Sequence, residues 1–312
     1  MRPGDVYALN APYNGGTHLP DVTVVTPVFD STEAILFYVA ARGHHADIGG
    51  RTPGSAPPDS TSIHQEGVLI DNFLLVEQGT LREAETRHLL STGTYPCRNI
   101  EQNMADLRAQ IAANETGVFE LKKIIDHFGL NTVHAYMQHV QDNAEESVRR
   151  VLDVLQDGTF TYHMDNGCRI CVAIRVDRAS RSASIDFSGT SDQHKGNYNA
   201  PSAVCKAAVL YVFRTLVDDN IPLNEGCLKP LHIHIPPRSI ISPEYPAAVI
   251  AGNTEVSQGV TDALYGALGV LASSQGTVNN FVYGTDKYQN YETICGGTGA
   301  GPNHPGCDAV HS

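Results

Sequence analysis

Residues 14–50 read NGGTHLPDVTVVTPVFDSTEAILFYVAARGHHADIGG. Two β-branched or aromatic runs, Val22 to Val28 and Ile35 to Ala41, flank the turn-like Asp30-Ser31-Thr32-Glu33. That pattern predicts a β-hairpin folding about residues 29 to 34. The start of one strand and the end of the next lie side by side in an antiparallel pair. Asp21 is therefore expected opposite Arg42, and His18 near His45. Residues His18, Asp21, His44, His45 and Asp47 should converge at one end of the hairpin. Two imidazoles and a carboxylate form a borderline-hard N/O set suited to Zn²⁺, Mn²⁺ or Fe²⁺. Such an ion polarises a carbonyl and acidifies a bound water, as amide hydrolysis requires. The plainer reading is a polar loop end whose histidines bond the backbone.

Beyond the hairpin, Gly49 to Ser62 is too rich in Gly and Pro for regular structure, and a long internal loop of this kind is functional or mobile. Asp59, His64 and Glu66 flank it, and Glu66 joins Asp47 as a candidate acid/base residue. Met104, Leu107, Ile111, Val118, Leu121, Ile125 and Phe128 recur at helical spacing up to Gly129. Val133, Met137, Val140, Val148, Val151 and Leu155 continue in a second helix capped by Asn131. The two helices are expected to pack as a pair. A second hairpin is read from Ile170–Val176 and Ala183–Phe187. An apolar helix starts near Ser202, a short strand spans 231–235, and a buried helix carries Val256 to Leu271. Asn253, Glu255 and Gln258 open that last helix, whose N–H groups could bind a substrate carboxylate.

The expected fold is α+β: antiparallel hairpins and sheet, a long helical pair, and buried helices on the sheet. Regions 1–95, 96–157 and 158–312 are expected to form one integrated domain. A net charge of −13, with Lys and Arg scattered and never more than two adjacent, argues against nucleic-acid or anionic-membrane partners. The apolar stretch from Ala203 to Val217 contains Lys206 and Arg214 and is too short to span a bilayer. Seven cysteines, without a disulfide-scaffold density, fit reduced thiols in the cytoplasm.

Other candidates have weaker patterns. Cys168 and Cys171 form a single CxxC without a second pair, so a structural role is expected. Cys205 reads as core. Cys295, which His304 or His311 could activate, reads more simply as a small core residue. His232 and His234 share a strand face that is expected to be wet. His134 and His139 are five apart on a helix and share no face, and His127 suits a helix C-terminus.

The runs NAPYNGGTHLPDVTVVTPVF (10–29), GHHADIGGRTPGSAPPDSTSIHQEGVLI (43–70), Gly196 to Ser202 and YETICGGTGAGP (291–302) resemble the hydantoinase B/oxoprolinase family from end to end. Val140 to Glu146 and Tyr211 to Asp218 resemble its 5-oxoprolinase branch. The resemblance implies ATP-dependent opening of 5-oxoproline to glutamate, a step of the glutathione cycle. It also implies a divalent metal on His18, Asp21 and His44, and an A-type component that binds ATP. N-methylhydantoin hydrolysis, ketone carboxylation and a non-catalytic assembly module are the alternatives. A homo-oligomer is expected, with family sequence continuing before Met1 and after Ser312. In agreement, GGTGAG lacks the lysine of a GxxxxGK[ST] phosphate loop.

Overall fold

The computed structural model describes every residue except Ser273, Gln275, Asp286, His311 and Ser312. The chain divides into two compact units, one comprising Met1–Val133, Tyr245–Ile250 and Val282–Tyr291, the other the remainder. The division runs through a helix and follows none of the expected region boundaries.

The first unit is built on an antiparallel sheet. Its strands are β1 (Val6–Leu9), β2 (Asp21–Phe29), β3 (Ile35–His44), β4 (Phe73–Glu77) and β5 (Thr80–Leu81), in the order β3-β2-β1-β4-β5. The hairpin β2–β3 is as expected, but its register is not. Asp21 pairs with His44, and Thr23 pairs with Arg42. An irregularity between Val28 and Phe29 shifts the pairing by one residue, and the turn over residues 30–34, closed by the pair Phe29 and Ile35, accounts for the second residue of difference from the expected register. Pro27 is tolerated inside β2 because β1 pairs only with Thr23 to Val25, so no ladder partner needs its missing N–H.

Helices α1 (Glu83–Ser91) and α2 (Ile100–Phe128) follow, and α2 packs on β2 and β3. Buried amides on α2 reach strand carbonyls: Gln110 Nε2 donates to Val22 O (2.8 Å), and Asn114 Nδ2 donates to Val24 O (3.0 Å). Val22, Val24, Met104 and Leu107 belong to the core beneath.

Helix α3 (Leu130–Leu152) begins one residue after α2, past Gly129 at φ 82°. The expected helical pair packs together only near the junction of α2 and α3. Val133 packs with Val28 and Phe37, while Ala144, Val148 and Leu152 belong to the second unit's core. Leu130 and Val133 at the start of α3 share that small cluster with Val118, Leu121 and Ile125 of α2, and the rest of the α3 stripe goes to the other core.

The second unit holds β6 (Gly158–His163), β7 (Arg169–Asp177), β8 (Ser182–Asp186), α4 (Ser202–Thr215), β9 (Leu231–His234) and α5 (Glu255–Leu268). The sheet order is β6-β7-β8-β9. Here β9 joins β8 in parallel, with α4 in the connection between them. Ile170, Ile174, Ile185, Phe213, Val260 and Leu264 are fully buried between sheet and helices. Strands β10 (Asn280–Gly284) and β11 (Gln289–Thr293) pair with each other, as do the two-residue strands β12 (Gly297–Thr298) and β13 (Cys307–Asp308). Leu271, expected in the last helix, is exposed beyond its end. No helix among the described residues is long and apolar enough to cross a membrane.

Candidate functional site

The site is set by the loop entering β2. Buried Asn10 donates from Nδ2 to Leu19 O (2.8 Å) and Val68 O (3.0 Å), and its Oδ1 accepts from the Ile70 N–H (2.7 Å). A Cβ at Gly16 would lie 2.3 Å from Asn10 O, so only glycine lets the loop close so tightly. The loop delivers Thr17 and His18 against Asp21, the first residue of β2. Asp21 Oδ2 accepts from Thr17 Oγ1 at 2.6 Å and lies 2.7 Å from His18 Nδ1.

Cross-strand pairing then places His44 beside Asp21, and its ring centroid stands 5.1 Å from that of His18. The Tyr291 ring of β11 stands 5.5 Å from that of His44. Sequence reasoning did not single out Tyr291, although it opens the YETICGG run. Burial pushes the Asp21 carboxyl up, but the His18 and Thr17 contacts outweigh it and hold the group at about 2. Burial, with His18 nearby, holds the His44 imidazole below its ordinary range. Both shifts favour an ionised carboxylate beside a neutral imidazole at neutral pH, a pairing that donates electron pairs.

This donor set fits a divalent ion by its chemistry. As the side chains stand, His18 and Asp21 are bonded to each other. Among the described residues, no three His, Cys, Asp or Glu groups are gathered as a metal site.

The other expected members of the cluster have different partners. His45 is buried on the opposite side, with Nε2 3.1 Å from Gln110 Oε1 and Nδ1 3.0 Å from Asn103 Nδ2. Consecutive strand residues face opposite ways, so only one of the two histidines can join His18. The signal was present in α2, where Asn103, Gln110 and Asn114 interrupt its apolar stripe.

Asp47 is buried and fully engaged. Its carboxylate accepts from Arg98 Nη1 (2.8 Å), Gly49 N–H (2.8 Å) and Gly54 N–H (3.0 Å). It scaffolds the Gly/Pro loop, which corrects the expected acid/base role. Glu66 is equally buried: Oε1 accepts from Ser60 Oγ (2.8 Å), Val249 N–H and Ile250 N–H (both 3.0 Å). Burial raises its carboxyl, opposed by those bonds and by the His18 charge. Glu66 therefore neighbours His18 but is committed to the backbone it holds.

His64 lies 2.7 Å from the Tyr245 hydroxyl, and Asp59 pairs with Arg51. Asn253 and Glu255 belong to the second unit. There Glu255 accepts from Thr277 Oγ1 (2.6 Å) and lines a hollow of about 140 Å³ with Tyr162, His163, Asp165 and Tyr198. Gln258 follows on α5, with Oε1 3.5 Å from Ser274 Oγ.

The remaining thiols and histidines are simply placed. Cys205 is core, as expected, and Cys168 and Cys171 are free thiols. Cys295 is exposed, contrary to the expected core position. His304 lies in the bridged turn with Gly301, and His311 lies outside the described residues. His232 and His234 are exposed on β9, as are His127, His134 and His139 on the helices.

Comparison with known proteins places this geometry in context. A family model described as hydantoinase B/oxoprolinase matches residues 1–312. A 5-oxoprolinase of Dictyostelium discoideum is 45% identical over 320 residues, covering 100% of this chain and 25% of that protein. The 5-oxoprolinase of Saccharomyces cerevisiae is 43% identical over 325 residues, covering 96% and 25%. The chain thus spans 25% of the length of these relatives. Among solved structures, an ATP-dependent caprolactamase from Pseudomonas jessenii superposes with a TM-score of 0.80 at 23% identity, over 100% of this chain and 56% of that one. An acetone carboxylase in its nucleotide-free form gives 0.83 at 15%, over 100% and 45%. These two likenesses concern the fold.

Proposed function

Because the chain belongs to the hydantoinase B/oxoprolinase family, we propose that it carries the ring-opening site of an ATP-dependent cyclic-amide hydrolase that converts 5-oxo-L-proline to L-glutamate. The observation that carries the reading is the meeting of His18, Asp21 and His44 at one end of the β2–β3 hairpin. Water adds to the ring carbonyl carbon, the C–N bond breaks, and the nitrogen leaves as the amine of glutamate. An A-type, ATP-using component activates the amide oxygen by transferring the γ-phosphoryl group of ATP to it with release of ADP, and that group leaves as inorganic phosphate when the ring has opened; the sequence of this chain contains no phosphate loop to do so. A divalent Zn, Mn or Fe ion on His18, Asp21 and His44 would polarise the carbonyl or acidify the attacking water.

The His18–Asp21 contact favours a second reading. A carboxylate on Nδ1 orients the imidazole so that Nε2 can take a proton from water, as in a hydrolytic dyad. Elemental analysis separates the two. Under the metal reading, about one equivalent of metal is present in wild type and lost in His18→Ala and Asp21→Ala. Absence of metal from the folded, active protein leaves the dyad. The activity itself is tested by ADP release from the chain together with the A-type component. Release that depends on 5-oxo-L-proline supports the assignment; release with N-methylhydantoin instead, or with neither, rejects it.

A further inference from the structure

Side chains alternate along β2, and Val22 and Val24 are buried beneath α2. Asp21 and Thr23 therefore lie on the other face, together with their cross-strand partners His44 and Arg42. Arg42 is the next residue on that face of β3, about 7 Å along the strand from His44. Its Nε donates to Thr23 Oγ1 (2.8 Å), and Nη2 reaches Gly15 O (3.4 Å) in the loop that carries His18. Among the described residues these are its polar contacts, and neither is a carboxylate. In a protein of net charge −13, most arginines beside carboxylates are paired, such as Arg98 with Asp47 and Arg87 with Glu101. Arg42 instead is exposed beside the site, with its Nη1 edge open and its stem anchored by Thr23.

We propose that the Arg42 guanidinium binds the carboxylate of the substrate and so selects cyclic amides that carry an acid group next to the ring nitrogen. A planar fork with two parallel N–H donors matches a carboxylate in a bidentate pair. The ring amide is then directed along the same face toward His44, His18 and Asp21. This inference deepens the proposed lactam-opening function and rests on it. It requires no metal.

The test is binding of two probes to the full chain by ligand-observed NMR titration. The probes are 5-oxo-L-proline and 2-pyrrolidinone, the same lactam without the carboxylate. Wild type should bind 5-oxo-L-proline the more tightly. In Arg42→Gln that affinity should fall about tenfold or more, while 2-pyrrolidinone binding stays unchanged. Arg42→Lys should recover part of the loss. Because Arg42 is exposed, the melting temperatures should match, which controls for folding. Equal affinity of Arg42→Gln and wild type for 5-oxo-L-proline overturns the inference but leaves the lactam function standing. Equal loss for both probes also overturns it, since a merely structural residue does not discriminate between them. Failure of wild type to bind either probe rejects the lactam function as well.

Discussion

Glu66 shows how a single buried carboxylate organises the neighbourhood of the site. It holds Ser60 and the N–H groups of Val249 and Ile250, residues more than 180 positions away, while burial raises its carboxyl. Glu66→Ala strands two N–H groups and a hydroxyl and should cost about 2–4 kcal/mol in urea unfolding. Glu66→Gln retains an acceptor oxygen and should cost less. The pH dependence has a definite sign. A folded-state pKa above the unfolded one means that the native state binds the proton more tightly. Its stability contribution is full below the unfolded carboxylate range and is lost as pH rises through the raised folded value. Wild type should therefore lose stability relative to Glu66→Gln as pH rises above the ordinary carboxylate range. A difference that is flat or grows with pH would contradict the assignment.

Among elements, the closest approach lies in the second unit, where α5 crosses β6. A Cβ on Gly158 would lie 1.8 Å from Ala267 O, a backbone atom that cannot rotate away. Gly158→Ala should destabilise the protein by about 1–3 kcal/mol or more, measured as a shift in the unfolding midpoint. Leu152 in α3 is fully buried in the same core, and Leu152→Ala should cost about 2–5 kcal/mol. Strand β6 escaped the sequence reading because its alternation rests on only two aromatics, Phe160 and Tyr162, in a short and mostly exposed segment. The glycine that defines its packing is meaningful only once α5 is placed against it. Helices α2 and α3 were each legible from their periodicity. The division of the α3 stripe between two cores was not, because an apolar stripe declares that it is buried without naming its partner.

For the whole molecule, the chain spans 25% of its 5-oxoprolinase relatives, and its sequence lacks a phosphate loop. It should release no ADP from ATP by itself and should do so, dependent on 5-oxo-L-proline, once the A-type component is added. ATP hydrolysis by the chain alone would refute that division of labour. Much of the site was legible in one line of sequence: strand runs, turn and flanking His-x-x-Asp and His-His pairs announce a hairpin with imidazoles at one end. Residue type and a period of two suffice for that, because both are local properties. Which histidine meets Asp21 was decided only in the tertiary structure. The turn over residues 30–34 and the irregularity at Val28–Phe29 together moved the register by two, and the α2 amides drew His45 to the buried side. Asp47 and Glu66 likewise read as reactive carboxylates until their partners, Arg98 and the Val249–Ile250 backbone, came from distant parts of the chain. Local chemistry determines which groups are available; long-range packing determines which of them remain exposed to a substrate.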